Sequence, residues 1–147
     1  MIYWFTGQPG AGKTSIANSL IEKLPKNTFH VDGDDLREIF NNKDYSETGR
    51  RKNIELAQQL AQYLNSKGKK VVVSLVSPYK DQRDKFKEKM GNNIVEVFVH
   101  TTEQRGRESY FVSDYQQPVE NYFDMDTTFD DVEESVKKLL EYAKNPR

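Results

Sequence analysis

Eight residues near the start of the chain have the composition of a loop that holds phosphate groups. They run Gly7-Gln8-Pro9-Gly10-Ala11-Gly12-Lys13-Thr14 and match the pattern Gly-x4-Gly-Lys-[Ser/Thr] at every constrained position. The glycines allow backbone dihedrals closed to other residues, so successive N–H groups can point at one anion. Lys13 can reach the outer phosphates, and the Thr14 hydroxyl can bind Mg²⁺. These residues, together with Ser15, are therefore predicted to bind ATP.

The residues around this loop supply the strand and helix that it needs. The apolar run 2–5, within a predicted strand 2–6, precedes it, and a helix-compatible segment of about 13–23 follows it. Two further predicted strands end in polar residues, Asp32-Gly33-Asp34-Asp35 and Ser77-Pro78-Tyr79. Since ligands bind outside the carboxyl ends of parallel strands, these groups should meet at one edge of the sheet.

One carboxylate at this edge is predicted to act in catalysis. Phosphoryl transfer depends on positioning, on charge stabilisation and on a carboxylate that orients or deprotonates the attacking hydroxyl. Asp34 is assigned that role because it follows a strand end and Gly33 opens the turn before it. The alternative is that Asp34 or Asp35 only caps the short helix that follows.

Strand and helix signals alternate along the chain, which predicts an α/β fold. We expect a three-layer α/β/α sandwich of the P-loop NTPase type, with a mostly parallel five-stranded sheet. The later strands are expected at about 71–76, 94–99 and 122–125, and the later helices at about 46–66, 81–90 and 132–143. Residues 1–147 form a single predicted kinase domain, with a polar lid segment at about 101–118 and a loose tail at 144–147.

Composition limits the partners that we expect. The chain has 147 residues, 22 basic and 23 acidic, and no basic block that would indicate nucleic-acid binding. Its apolar runs are too short to span a bilayer, and no basic leader precedes the first one. The absence of cysteine suits a cytoplasmic protein. Small-molecule nucleotides are the expected partners, no nucleic acid or membrane is expected, and a homodimer is compatible with these features.

Several motifs in one order resemble the adenylylsulfate kinase family of P-loop kinases. The resemblance covers about residues 1–100 and 115–143. The matching stretches after the loop are His30-Val31-Asp32-Gly33-Asp34-Asp35-Leu36-Arg37, then Tyr45-Ser46-Glu47 with Arg50, Asn53 and Ile54, then Val76-Ser77-Pro78-Tyr79 with Arg83, and finally Tyr115-Gln116-Gln117-Pro118.

The resemblance implies an ATP- and Mg²⁺-dependent transfer of the γ-phosphate to the 3′-hydroxyl of adenylylsulfate. It assigns Lys13, Asp34 and Ser77 to catalysis. Ser77 matches a serine described in that family as a phosphorylated intermediate, but direct in-line transfer is preferred because no neighbouring basic residue is evident to activate the hydroxyl. The implied acceptor-binding residues are Asp34, Arg37, Tyr45, Arg50, Asn53, Val76, Ser77 and Pro78. In the lid, which the resemblance does not align, Phe111 is predicted to cover a base, with Tyr110 as the alternative.

The chain departs from the family in its lid, which is about half the usual length and lacks the stretches Arg-Asp-Pro-Lys-Gly-Leu-Tyr and Asn-Phe-Thr-Gly. Arg105 is predicted to reach the triphosphate instead, with Arg107 as an alternative. A shortened lid leaves three hypotheses open: an adenylylsulfate kinase, the same transfer to a cytidine diphosphate derivative such as cytidine diphosphoramidate, and a nucleotide-binding regulatory module without catalysis.

Overall fold

The computed structural model describes residues 1–145. The strands are β1 (Ile2–Thr6), β2 (Phe29–Asp32), β3 (Val71–Ser74), β4 (Ile94–His100) and β5 (Phe123–Asp126). The helices are α1 (Lys13–Glu22), α2 (Gly33–Ile39), α3 (Glu47–Ser66), α4 (Lys80–Met90) and α5 (Val132–Lys144). The predicted loose tail is wrong at Lys144, which is the last residue of α5, and residues 146–147 of that tail lie outside the described part.

The strands form one sheet in the order β2-β3-β1-β4-β5. All four pairings are parallel, so the prediction of a mostly parallel five-stranded sheet is confirmed. In the central strand, Phe5 pairs with Ser74 of β3 and with Val97 of β4. The loop after β1 therefore lies between the ends of β3 and β4.

Alternate side chains of β1 point to opposite faces of the sheet and nucleate two apolar cores. Ile2 and Trp4 face the core built with α3 and α4, whereas Tyr3 and Phe5 face the core built with α1 and α5. Helices thus cover both faces of the sheet. This confirms the three-layer α/β/α architecture. On α3, Ile54, Ala57 and Ala61 are buried, whereas Tyr63 is exposed.

The cap of α2 differs from the prediction in a way that matters for the site. Asp32, not Asp34 or Asp35, is the N-cap, and its carboxylate accepts a hydrogen bond from the backbone N–H of Asp34 at 2.8 Å. Strand β2 extends to Asp32 and α2 begins at Gly33, so the capping position falls earlier than expected. The Asp34 carboxylate is thereby left without a capping role.

The segment 101–118, called the lid below, contains one short 3₁₀ turn, Glu108–Tyr110, and is otherwise irregular. The C-terminal end of the lid is hydrogen-bonded to the end of β1 and to the turn after β3. The Tyr115 hydroxyl lies 2.8 Å from the Thr6 hydroxyl, and the backbone N–H of Gln116 donates to the carbonyl of Pro78 at 2.8 Å. Across residues 1–145, no helix combines the length and apolarity needed to cross a bilayer.

Candidate active site

The loop between β1 and α1 has the backbone that the sequence pattern predicts. Gly10 and Gly12 have φ values of 82° and 107°, a region that disfavours residues with a Cβ atom. Gly12 directly precedes α1, and Thr14 and Ser15 are exposed in the first turn of that helix. The loop therefore places free backbone N–H groups and a helix N-terminus together, as a phosphate site requires.

Lys13 is folded back onto the loop. Its ammonium group donates to the carbonyl oxygens of Gly7 and Gln8, at 2.8 and 2.9 Å. Burial lowers the pKa of Lys13 to about 8; the carboxylates of Asp34 and Asp32 act in the opposite direction, and Arg107 adds to the lowering. The loop therefore contains a positive charge that has lost part of its hydration. A phosphate bound beside Lys13 would stabilise the charged form of the ammonium.

Asp34 lies at the carboxyl end of β2, next to the phosphate-binding loop in electrostatic terms. It sits in the first turn of α2 at the carboxyl edge of β2, and its side chain is exposed. Its carboxylate is close enough to raise the pKa of Lys13, more strongly than Asp32 does. The Asp34 carboxylate and the Lys13 ammonium are thus electrostatically coupled.

Ser77 sits in a buried and constrained turn. Its φ is 47°, an uncommon value for a residue with a side chain, and only 1% of the residue is exposed. Its hydroxyl accepts a hydrogen bond from the indole N–H of Trp4 at 3.3 Å. A hydroxyl enclosed by the core is poorly placed to carry a phosphate, so the geometry disfavours a phosphoserine and favours a structural role.

A buried charge pair holds this turn in place. Arg83 of α4 donates to the Glu96 carboxylate at 2.7 Å and to the Ser77 carbonyl at 2.6 Å. Its third contact is the carbonyl of Gln116, at the end of the lid. Both charged side chains are only 1% exposed, and Lys87 donates to the second carboxylate oxygen of Glu96 at 2.6 Å. Arg83 therefore links three parts of the chain: β4 through Glu96, the turn at Ser77, and the C-terminal end of the lid.

The predicted acceptor-binding side chains gather around the start of α3. Arg37 lies over the Tyr45 ring, with its guanidinium carbon 4.0 Å from the ring centre. Asn53 is buried and donates to the Gly33 carbonyl at 3.2 Å, while its amide oxygen has no hydrogen-bond partner. Arg50 forms an ion pair with Asp114 of the lid at 3.4 Å. The start of α3 therefore has two guanidinium groups and an aromatic ring near it, and Asn53 offers a buried oxygen that can still accept a hydrogen bond, as binding of a nucleotide with an anionic end requires.

Of the other predicted acceptor-binding residues, Phe111 lies on the β4 side of the loop, whereas Val76 and Pro78 follow β3 on its other side. Phe111 lines a cavity of about 260 Å³ together with Pro9 and other residues of the loop and β4. The lining does not include Tyr45, so these two rings are not brought together in one pocket. Val76 and Pro78 contribute their carbonyl oxygens, to the Gly7 N–H and the Gln116 N–H respectively.

Arg105 braces the loop from outside. Its guanidinium donates to the Ala11 carbonyl at 3.1 Å and to the carbonyl of Thr127, just after β5, at 2.8 Å. Arg107 instead covers Gly10, where an added Cβ atom would lie 2.9 Å from the Cβ of Arg107. Of the two lid arginines, Arg107 is therefore the one coupled to Lys13, as the pKa of that lysine shows.

Sequence reasoning missed three contacts that hold the site together. The Gln8 side chain donates to the Val112 carbonyl at 2.9 Å and accepts from the Val112 N–H at 2.8 Å, which latches the lid to the loop. Thr127 donates to the Ala11 carbonyl at 2.8 Å. Asp114 reaches Arg50. The position of Thr127 directly after a predicted strand could have indicated its contact with the loop. No sequence pattern indicated the contact between Gln8 and Val112 or the pair between Arg50 and Asp114.

Comparison with known proteins identifies the family of this chain. A family model described as adenylylsulphate kinase matches residues 1–120. The chain belongs to the adenylylsulfate kinase family. Its relatives in that family are kinases, and its activity is that of a phosphotransferase.

Two curated relatives illustrate the range of named substrates. An adenylyl-sulfate kinase from Buchnera aphidicola is 40% identical over 106 residues, 69% of this chain and 50% of the relative, so the chain spans half of that protein's length. A cytidine diphosphoramidate kinase from Campylobacter jejuni is 32% identical over 136 residues, 88% of this chain and 79% of the relative.

The fold is matched by solved structures. An APS kinase from Mycobacterium tuberculosis, solved in complex with AMPPNP and APS, superposes with a TM-score of 0.83 at 24% identity, covering 98% of this chain and 97% of the other. At this identity the likeness shows the shared fold, which confirms the predicted fold class.

Proposed function

We propose that the protein is an ATP- and Mg²⁺-dependent kinase that phosphorylates the 3′-hydroxyl of a 5′-modified nucleotide, with adenylylsulfate as the acceptor. The observation that carries this proposal is the position of Asp34. Its carboxylate lies free at the strand edge and close enough to the Lys13 ammonium to shift its pKa. A hydroxyl held between them would meet a base on one side and a bound triphosphate on the other.

The loop, Lys13 and Asp34 would have different roles in phosphoryl transfer. The backbone N–H groups of the loop and Lys13 would hold the β- and γ-phosphates and stabilise the charge that develops on transfer. Asp34 would orient the 3′-hydroxyl and accept its proton as the oxygen attacks phosphorus in line. Transfer would be direct, since the Ser77 hydroxyl is buried against Trp4.

A magnesium ion fits the loop through oxygen ligands. Thr14 presents an exposed hydroxyl in the first turn of α1, and the nucleotide would supply phosphate oxygens. Within residues 1–145 there is no cluster of three or more His, Asp or Glu side chains that would form a separate metal site. When bound, the ion would neutralise part of the charge on the phosphates.

The acceptor would bind at the start of α3. Arg37 and Arg50 would hold its anionic 5′ end, because guanidinium groups match sulfate and phosphate oxygens. Tyr45, exposed and already under the Arg37 guanidinium, would stack on the base. The buried amide oxygen of Asn53 lacks a partner and would accept a hydrogen bond from an exocyclic amino group of the base. Adenine and cytosine both carry such a group.

A second candidate acceptor is cytidine diphosphoramidate. It is favoured by the short lid and by the Campylobacter jejuni relative, which this chain matches over 79% of that protein. Assays of ADP formation and of 3′-phosphorylated product with adenylyl and cytidylyl acceptors would separate the two. Turnover with adenylylsulfate alone would eliminate the cytidylyl acceptor, and binding of ATP without turnover on any acceptor would favour a regulatory module.

The mechanism is tested by removing the proposed base without changing its shape. Asp34→Asn should lower kcat by about 10²- to 10⁴-fold, the usual contribution of a general base, while ATP still binds. Lys13→Ala should abolish both tight ATP binding and transfer. Asp35→Asn, a change at the neighbouring exposed carboxylate, serves as the matched control. Near-normal turnover of Asp34→Asn would refute the assigned role.

A further inference from the structure

The ion pair between Arg50 and Asp114 stands at the mouth of the proposed acceptor site. Arg50 lies in the first turn of α3 and Asp114 in the lid, with a nitrogen–oxygen distance of 3.4 Å. The side chains are 29% and 47% exposed. A long, solvent-open pair of this kind contributes little to folding. We therefore expect the pair to affect the binding of the acceptor rather than the stability of the fold.

The lid does not need this pair to stay in place. Directly after Asp114, the Tyr115 hydroxyl contacts Thr6 in a buried position, and Gln116 donates to the Pro78 carbonyl. The side-chain oxygen of Gln116 also accepts from the Lys80 N–H at 2.8 Å. These neutral contacts fix the lid end on the sheet edge, and they hold the Asp114 carboxylate next to Arg50.

Asp114 changes the charge that an acceptor meets. Arg37 is held by neutral partners, since its guanidinium donates to the carbonyls of Asn42 and Asp44, both at 3.1 Å. The Asp44 carbonyl lies in the loop that packs against Gly49, the residue before Arg50. The Asp44 carboxylate also interacts with the charge of Arg37. Asp114 therefore lowers the formal charge around the two arginines by one further unit, on the side of Arg50.

We propose that Asp114 is a specificity-determining residue that disfavours acceptors ending in a dianionic phosphate; this rests on the proposed function, in which Arg50 holds the 5′ end. The sulfate of adenylylsulfate and the terminal group of cytidine diphosphoramidate each carry one negative charge. A terminal phosphate group, such as that of a nucleoside diphosphate, has a second pKa of about 6 and carries about −1.5 to −2 at pH 7. Its additional charge faces Asp114, and like charges placed together weaken binding.

The test compares acceptors that differ in the charge of their last group. Turnover of adenylylsulfate is measured against ADP, and of cytidine diphosphoramidate against CDP, at saturating MgATP, with 3′-phosphorylated products identified by mass spectrometry. Asp114→Asn should narrow the preference for the singly charged acceptor by about threefold to fivefold, which is the upper range for one exposed charge pair. The preference should arise mainly in KM rather than in kcat.

A pH series provides a readout that a structural role for Asp114 would not move. Raising the pH from 6 to 8 converts a terminal phosphate from mixed to largely dianionic form, whereas the sulfate keeps its charge. Discrimination should rise over this range in the original chain and stay flatter in Asp114→Asn. Asp84→Asn is the matched control, because Asp84 is 43% exposed and pairs with Lys80 on the outer side of α4.

The outcomes separate this inference from the proposed function. If the original chain phosphorylates none of the four compounds, the proposed function fails and the inference fails with it. If the chain phosphorylates a singly charged acceptor and Asp114→Asn leaves the ratio and its pH dependence unchanged, only the inference is overturned. An equal loss of turnover for the singly and the doubly charged acceptor in Asp114→Asn would also overturn it. Such a result would mean that the contribution of Asp114 does not depend on the charge of the acceptor.

Discussion

Removing the charge of Glu96 should be among the most damaging single changes to the free energy of unfolding. Its two carboxylate oxygens accept from Arg83 at 2.7 Å and from Lys87 at 2.6 Å, and Arg83 and Glu96 are each only 1% exposed. Glu96→Gln keeps the size of the side chain but leaves the Arg83 guanidinium buried without a counter-charge. Breaking one partner of a buried pair costs about 3–5 kcal/mol.

That loss is large compared with the stability of such a domain. The free energy of unfolding of a domain is about 5–15 kcal/mol, so the change would remove at least about a fifth of it. At about 2–4 °C per kcal/mol for a chain of this size, Tm should fall by about 6 to 20 °C. The damage should extend to the site, because Arg83 also holds the carbonyls of Ser77 and Gln116.

The assay is denaturant and thermal unfolding of Glu96→Gln beside Glu141→Gln. Glu141→Gln is the same substitution in an exposed ion pair with Lys144. The side chain of Glu141 is 78% exposed and that of Lys144 is 73% exposed. That control should cost less than about 1 kcal/mol. If Glu96→Gln cost no more than its control, water must reach the Arg83 guanidinium, and the reasoning from burial would be refuted.

Four further results are expected. Because the pKa of Lys13 is lowered to about 8, its ammonium deprotonates above that pH, so the Kd for ATP should rise by up to about tenfold per pH unit above 8, with proton uptake on binding seen by calorimetry. In the absence of nucleotide the same shift makes the unfolded chain hold more protons between pH 8 and 10.5, so this residue adds stability as pH rises through that window. Gln8→Ala removes two hydrogen bonds to the lid and should speed tryptic cleavage at Arg105 several-fold; an unchanged rate would mean that other contacts hold the lid. Gly49→Ala would place a Cβ atom 2.1 Å from a carbonyl oxygen of the loop that carries Tyr45, so the KM for the acceptor should rise while the Kd for ATP stays constant.

Much of the architecture was predictable from local patterns. The strand 2–6 is a continuous apolar run, as a central parallel strand requires, and it emerged with the bounds expected. Gly68 and Gly91 follow α3 and α4 at positions where φ is positive, which is why the ends of those helices could be predicted. The phosphate loop was predictable because its glycines and Lys13 have fixed spacing.

The remaining features depend on contacts between distant segments. Whether Asp32 or Asp34 caps α2 is decided by a small difference in the end of β2, below the accuracy of propensity arguments. The inward position of the Ser77 hydroxyl depends on Trp4, 73 residues away. The pairing of Arg50 with Asp114 depends on the path of an irregular segment, for which no periodic pattern exists.

The hydrogen bond from Trp4 to Ser77 gives the molecule an internal optical probe. Trp4 is the single tryptophan of the chain, it is 1% exposed, and its ring lies 5.4 Å from that of Phe86. Its emission should therefore be blue-shifted in the native protein and move to longer wavelength as the sheet opens. Since its indole N–H ends on the turn next to the proposed acceptor site, rearrangement of that turn during turnover can be followed in unlabelled protein.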